Sequence, residues 1–267
     1  MTSLLEDLLD DLRAEGDPLL AAVSGLDEAG WATPTAAAGW TVATQVAHLL
    51  WTDETAAAAA RSLDGDVGKA AWDDIVLQAM ADPSGFVDTG AHEVARLAPT
   101  ALLARWGAAR QDLAAAVRAV PVGQKMPWFG PPMSPASMVT ARFMETWAHA
   151  LDVHEALGSV PEPTDRIRHV AHLGVRTRDF AYAVHGLTPP AEEFRLELTA
   201  PSGAVWAWGP EDAAQTVHGP AYDFCLLVTQ RIHRDDIALT TTGDAAAHWL
   251  TIAQAFAGPA GEGRAKR

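Results

Sequence analysis

The chain has 267 residues, 49% of them hydrophobic, and a formal net charge of −15 at pH 7, which allows a substantial core arranged as one large domain or two modest ones. The acidic balance repels polyphosphate and speaks against nucleic-acid partners, and a single cysteine, Cys225, excludes an internal disulfide framework and suits a reducing compartment. With neither an apolar N-terminal leader nor an apolar run of membrane length, the chain reads as soluble and cytoplasmic, with no membrane partner.

Helical signals fill the first two-thirds. Ser3-Leu-Leu-Glu6 is a capping box, and Leu4, Leu5, Leu8, Leu9 and Leu12 form an apolar stripe opposite Asp7, Asp10 and Asp11. After the turn-rich segment from Trp31 to Gly39, Thr41 reads as the N-cap of a helix running to about Leu63, with Val42, Val46, Leu49 and Leu50 inward and His48 inside it. Residues 64–98 are poorly periodic, so they are expected to be only partly ordered around a short helix marked by Trp72, Ile75, Val76, Leu77 and Met80. From Pro99 to Val120, Leu102, Leu103, Trp106, Leu113 and Val117 recur at helical spacing until Pro121 stops the element. A Pro-rich loop, 126–133, precedes Ser134-Pro135, an N-cap followed by proline at the first helical position, where another long helix begins. Four long helices predict a bundle, whose interior commonly holds metals between facing helices.

Beyond the Pro-rich linker at 158–163 the pattern changes. A helix from about Thr164 to Val184 leads to two paired strands, Phe194–Leu198 and Val205–Trp208, and then to helices from Pro220 to about His233 and from Asp244 to Phe256. The expected fold class is α+β: a four-helix bundle over 1–160, a small mixed α/β domain over 161–260 and a frayed basic tail over 261–267. We see no internal repeats.

The richest chemistry lies in Met138–His154. Glu145 and His149 stand one helical turn apart among apolar and small residues, so their side chains share a face and could hold a catalytic metal with a third ligand from elsewhere. Spacing alone does not single them out, because Asp88/His92, Asp165/His169 and Asp244/His248 share it. Asp165, His169 and His172 form a rival set on paper. It lies beside Arg166 and Arg168 at a helix start, where Asp165 is better read as a first-turn partner of the helix dipole and the histidines as surface residues. The other two pairs look structural.

Three segments carry a family resemblance. Trp31-Ala-Thr-Pro-Thr with Gly39-Trp40 and the His48-Leu49 helix, Met144-Glu145-Thr-Trp-Ala-His149-Ala-Leu-Asp152, and Gly219-Pro-Ala-Tyr-Asp223 running to Arg231 resemble, in order, motifs of the DinB-like, mycothiol-dependent maleylpyruvate isomerase family. The resemblance implies a DinB-like bundle and three metal ligands, His48, Glu145 and His149. Two neutral imidazoles and a carboxylate suit zinc with one coordination position open to a thiol, mycothiol if the family holds. Cys225 lies in an apolar helix, so the thiol is expected from a small molecule. The expected enzyme is a transferase or isomerase acting on a small electrophile, as a monomer or homodimer. Arg231 could bind a substrate carboxylate or simply be a charge at a helix end. Asp152 either orients the His149 ring by accepting a hydrogen bond or is a solvated charge. His154 lies off the His149 face, and Asp53 and Glu54 read as a polar rim or as outer support for the ligands. Most tryptophans read as packing residues, with Trp128 and Phe129 candidates for a pocket mouth. The alternatives are a noncatalytic binding module, whose second domain resembles sterol-carrier-like folds, and a metal-dependent hydrolase using activated water.

Overall fold

The computed structural model describes residues 3–261 and 263–266. Two compact units divide the chain, Met1–Pro161 and Glu162–Arg267, and the class is α+β, with a helical first unit and a four-stranded mixed sheet in the second.

In the first unit, α1 (Leu4–Val23), the short α2 (Glu28–Trp31), α3 (Val42–Arg61), α4 (Gly65–Ala81), α5 (Phe86–Val94), α6 (Pro99–Ala119) and α7 (Pro135–Ala156) follow in order. The four long helices, α1, α3, α6 and α7, make the bundle. Their starts are set by side chains that satisfy N–H groups a helix leaves open: Ser3 accepts from the Glu6 amide, Thr41 from Thr44 and Ser134 from Ser137, with Pro135 next in line. Helix α1 continues past Pro18 to Val23. There Arg110 of α6 crosses it, donating to the Arg13 carbonyl and to Asp17 at 2.7 Å each. Gly16 makes room, since a Cβ at that position would stand 2.8 Å from the guanidinium.

The expectation for residues 64–98 needs correction: most of the segment is helical, as α4 and α5. Helix α4 buries only Trp72 and leaves Val67, Leu77 and Met80 exposed, so it has little apolar periodicity to read. Gly90 interrupts the pattern of α5 because the Trp51 ring lies against it, within 2.5 Å of where a Cβ would be.

Apolar residues of the bundle form two clusters. One joins Leu8 and Leu9, the Ala56–Ala60 stretch, Leu113, Val117, Met138 and Val139. The other joins Leu19, Val23, Val46, Leu49, Leu50, Leu102, Trp106 and Val153. Between them α3 and α7 bury polar groups instead: His48, Thr52, Asp53 and Thr55 from one, Arg142, Thr146 and Asp152 from the other. Together these side chains form a buried polar layer shared by α3 and α7.

The second unit contains α8 (Arg168–Arg176), α9 (Arg178–Val184), β1 (Phe194–Thr199), β2 (Val205–Trp208), β3 (Gln215–Pro220), α10 (Ala221–Val228), β4 (Thr240–Thr242) and α11 (Asp244–Ile252). Strand order is β2-β1-β3-β4; β1 runs parallel to β3, and the outer pairs are antiparallel. Phe194, Leu196, Leu198, Trp206 and Val217 are buried with Phe224, Val228 and Trp249. The single helix expected over 164–184 is divided at Thr177. Strands β3 and β4 were not expected; their sequences, QTVHGP and TTT, bury only Val217. The helix expected to reach His233 ends at Val228. The amides of Gln230 and Arg231 turn back to the Leu227 and Leu226 carbonyls with Gln230 at φ 58°, a left-handed helix stop. Of the expected basic tail, Glu262 and Arg267 lie outside the described residues, while Lys266 pairs with Asp235 at 2.9 Å. No helix among the described residues is long and apolar enough to cross a membrane.

Candidate metal centre

His48 on α3 and the Glu145/His149 pair on α7 meet in the polar layer. Glu145 Oε2 lies 3.3 Å from His48 Nε2 and 3.1 Å from His149 Nε2, and one ligand atom from each residue falls within 4.8 Å of the others. Two atoms bound at 2.0–2.2 Å to one tetrahedral ion stand about 3.3–3.6 Å apart, so the two distances to Glu145 are close to those of a shared centre, while the two imidazoles are held within 4.8 Å. Among the described residues this is the only group of three or more His, Cys, Asp or Glu side chains so arranged.

Electrostatics favour the ligating protonation states. Burial, with help from neighbouring His149 and against the pull of Glu145, drives the His48 imidazole down to about 4, leaving it neutral at pH 7. Burial alone would raise the Glu145 carboxyl, but hydrogen bonds from His149 and His48 hold it well below the usual carboxylate range. A neutral imidazole and a carboxylate are the forms that bind a divalent ion. The buried His48 Nδ1 has no hydrogen-bond partner, and the ring's other nitrogen, Nε2, is the one that faces Glu145. The donor set thus fits a divalent cation.

A second cluster shares the layer. Arg142, one turn before Glu145, bonds through Nε to Asp53 at 3.0 Å, and both side chains are 3–4% exposed. Its Nη2 reaches the Thr52 hydroxyl at 2.5 Å, which in turn donates to the His48 carbonyl at 2.7 Å. Trp106 Nε1 donates to the other Asp53 oxygen at 3.3 Å. Asp53 is therefore a buried strut between helices, not part of a rim, whereas Glu54 forms a bidentate pair with Arg105.

Around His149 the orienting contact differs from expectation. The group facing its Nδ1 is the Gln45 amide oxygen, in the place expected for Asp152, which is buried on the same helix as His149. The Trp40 indole stacks on His149 with ring centroids 5.8 Å apart and planes at 18°, and lies 5.3 Å from His48. Its Nε1 donates to Asp88 on α5 at 2.8 Å. Neither Gln45 nor Trp40 was picked out by sequence. Trp40 belonged to a motif already noted, and Gln45 sits three residues before His48 on α3, the only signal that could have marked it.

The other candidates make contacts of their own. His154 bonds Ser159 at the end of α7. Asp165 binds the Ser202 amide and hydroxyl at 3.0 and 2.6 Å, and His172 accepts from Trp208, so the rival set does not converge. His92 and Asp88 brace Trp40. Trp128 and Phe129 pack against Trp72. Arg231 follows the end of α10, where its Nη1 donates to the Thr229 carbonyl at 2.6 Å. A cavity of about 460 Å³ is lined by α1 and α6 together with Asp53 and Thr146, but by none of the three converging residues. Convergence of donor atoms, not cavity size, marks the chemical centre here.

A family model described as the mycothiol maleylpyruvate isomerase N-terminal domain matches residues 12–154, and one described as wyosine base formation matches residues 190–242. Uncharacterized proteins from two Mycobacterium tuberculosis strains, H37Rv and CDC 1551 / Oshkosh, are each 54% identical over 254 residues, covering 95% of this chain and 96% of theirs. The crystal structure of a mycothiol-dependent maleylpyruvate isomerase is 17% identical with a TM-score of 0.59; that of a mutant is 18% identical with a TM-score of 0.60. Both cover 90% of this chain and 95% of their own, a likeness of fold.

Proposed function

The chain belongs to the mycothiol maleylpyruvate isomerase N-terminal domain family, and from that premise we propose that it is a metal-dependent enzyme using a small thiol, mycothiol, to isomerise or S-conjugate a small electrophile. The observation that carries this is the shared Glu145 oxygen, 3.1 and 3.3 Å from the two imidazoles. His48, Glu145 and His149 would hold one divalent ion, zinc by its donor types, with a position open. Such an ion would supply the Lewis acidity that brings a thiol to its nucleophilic form near neutral pH.

The chain's own residues do the rest. Glu145 provides the fixed negative charge of the site, and burial keeps His48 neutral so that its lone pair is available. Trp40 closes one side of both rings, restricting the approach of water and reagent. The chain's only thiol is unsuited to be the nucleophile: Cys225 is fully buried and burial pushes its thiol far up. The nucleophile therefore comes from outside. For Arg231 we propose the role its guanidinium suits, binding a substrate carboxylate.

The test is metal analysis of purified protein together with turnover of small electrophiles, with and without mycothiol. We expect about one divalent ion per chain and thiol-dependent turnover, both lost in His149→Ala. Turnover without thiol would replace this reading with hydrolysis, and metal-free protein without turnover would leave a binding module.

A further inference from the structure

Gln45 is fully buried on α3, one turn before His48, and belongs to no ligand set, yet its amide spans two elements. On one side its Nε2 donates to the Thr35 hydroxyl at 2.8 Å. On the other its Oε1 meets His149 Nδ1. Thr35 stands in a clasped loop: Pro34 bridges Thr41, the Thr35 amide donates to the Trp40 carbonyl at 2.8 Å, and Gly39 supplies the left-handed turn at φ 78°. The same loop carries the Trp40 indole that stacks on His149.

Hydrogen-bond direction runs one way along this chain. The Thr35 hydroxyl has a single proton, directed at the Trp40 carbonyl at 3.3 Å, so toward Gln45 it accepts. That places the amide nitrogen of Gln45 at Thr35 and its carbonyl oxygen at His149. A carbonyl oxygen only accepts, so His149 Nδ1 must carry a proton. With Nδ1 holding its proton, Nε2 is the ring nitrogen left to offer a lone pair to an ion, and it faces the point where the three ligands converge, 3.1 Å from Glu145 Oε2.

We propose that Gln45, its amide oriented by Thr35, is the positioning residue that presents His149 Nε2 to the metal. This rests on the metal reading above but makes a separate claim: the tautomer and aim of one ligand are set by a neutral amide on the opposite helix, where such a ring is often held by a carboxylate or main-chain carbonyl. The Thr35–Trp40 loop then controls His149 twice, by stacking on its ring and by orienting its hydrogen-bond acceptor.

The experiment measures Zn²⁺ affinity by competition with a chromogenic chelator for the wild type, Gln45→Leu, Gln45→Glu and Thr35→Val. It is paired with long-range ¹H–¹⁵N spectra of the histidine rings in the metal-free proteins. Gln45→Leu keeps the volume but removes the acceptor, and we expect Zn²⁺ binding to weaken about 10–100-fold. Gln45→Glu keeps an acceptor on Nδ1 and should stay within about threefold of the wild type, while Thr35→Val, which frees the amide to turn over, should weaken binding by roughly 2–5-fold. The metal-free wild type should show a protonated His149 Nδ1, and Gln45→Leu should lose that preference. Wild-type affinity in Gln45→Leu, an equal loss in Gln45→Glu, or a bare Nδ1 in the wild type would each overturn the proposal. A wild type that takes up no Zn²⁺ removes the metal reading instead, and the ring spectra still decide this one.

Discussion

Helices α3 and α7 build two polar clusters side by side, one complete in itself and the other the one for which we propose a cation from outside. In the Asp53–Arg142–Thr52–Trp106 cluster every charge meets its opposite: a guanidinium faces a carboxylate at 3.0 Å, and an indole N–H and a hydroxyl complete the network. In the His48–Glu145–His149 cluster a partly buried carboxylate faces two imidazoles, whose hydrogen bonds are what hold its pKa low. The two sites lie about one turn apart along α7, but the Arg142 and Asp53 side chains are 3–4% exposed whereas His149 and Glu145 keep 14% and 23%. Placing Arg142 at one turn and Glu145 at the next separates a strut from the proposed binding site.

The largest effect should come from breaking the proposed cation-binding cluster. Glu145→Gln removes its only full charge and a ligand atom, so bound metal should fall from about one ion per chain to about a tenth or less by elemental analysis. A chelator should lower the melting temperature of the wild type and leave that of Glu145→Gln where it is, because only the wild type gains stability from a bound ion. Next in size is the strut. Arg142→Leu leaves Asp53 as a buried carboxylate without its partner and should cost about 3–5 kcal/mol in urea unfolding, with or without metal. Adding Asp53→Asn should recover half of that loss or more, since the unpaired charge is then gone. If Arg142→Leu lost metal with no change in metal-free stability, the division between strut and site would fail.

The ease of reading these regions from sequence follows the same physics. Ser3, Thr41 and Ser134 marked helix starts because a cap needs its oxygen at a fixed offset from the first free amides, and such local geometry is written in local sequence. Glu145 and His149 were visible at helical spacing. His48, 97 residues from Glu145, was reachable only through a motif resemblance. Gln45 and Arg142 stayed hidden because their roles depend on what faces them across the bundle, and a buried amide or arginine carries no spacing of its own. Helix α4 was legible only in part, around Trp72 to Met80, and α5 was missed, for the opposite reason. They bury so little that the pattern of a packed helix is absent from their sequence, and tertiary contact with Trp72 and Trp51 stabilises them instead.

The second unit offers the finest contrast with the bundle, where the starts of α3 and α7 are fixed by side-chain caps. Helix α10 is stopped by backbone geometry at Gln230, whose φ of 58° is one that glycine adopts without penalty. Its main-chain bonds, Gln230 N to Leu227 O at 2.9 Å and Arg231 N to Leu226 O at 2.8 Å, need no side chain. Gln230→Gly should therefore keep the turn and relieve the left-handed strain, which is worth about 1–2 kcal/mol. Part of that gain is lost to the greater freedom of glycine in the unfolded chain. The net expectation is a stabilisation of about 0.5 kcal/mol in urea unfolding, with metal content unchanged. A loss of stability would show that the Gln230 side chain, whose oxygen lies beside Gly261, holds the turn more than the backbone does.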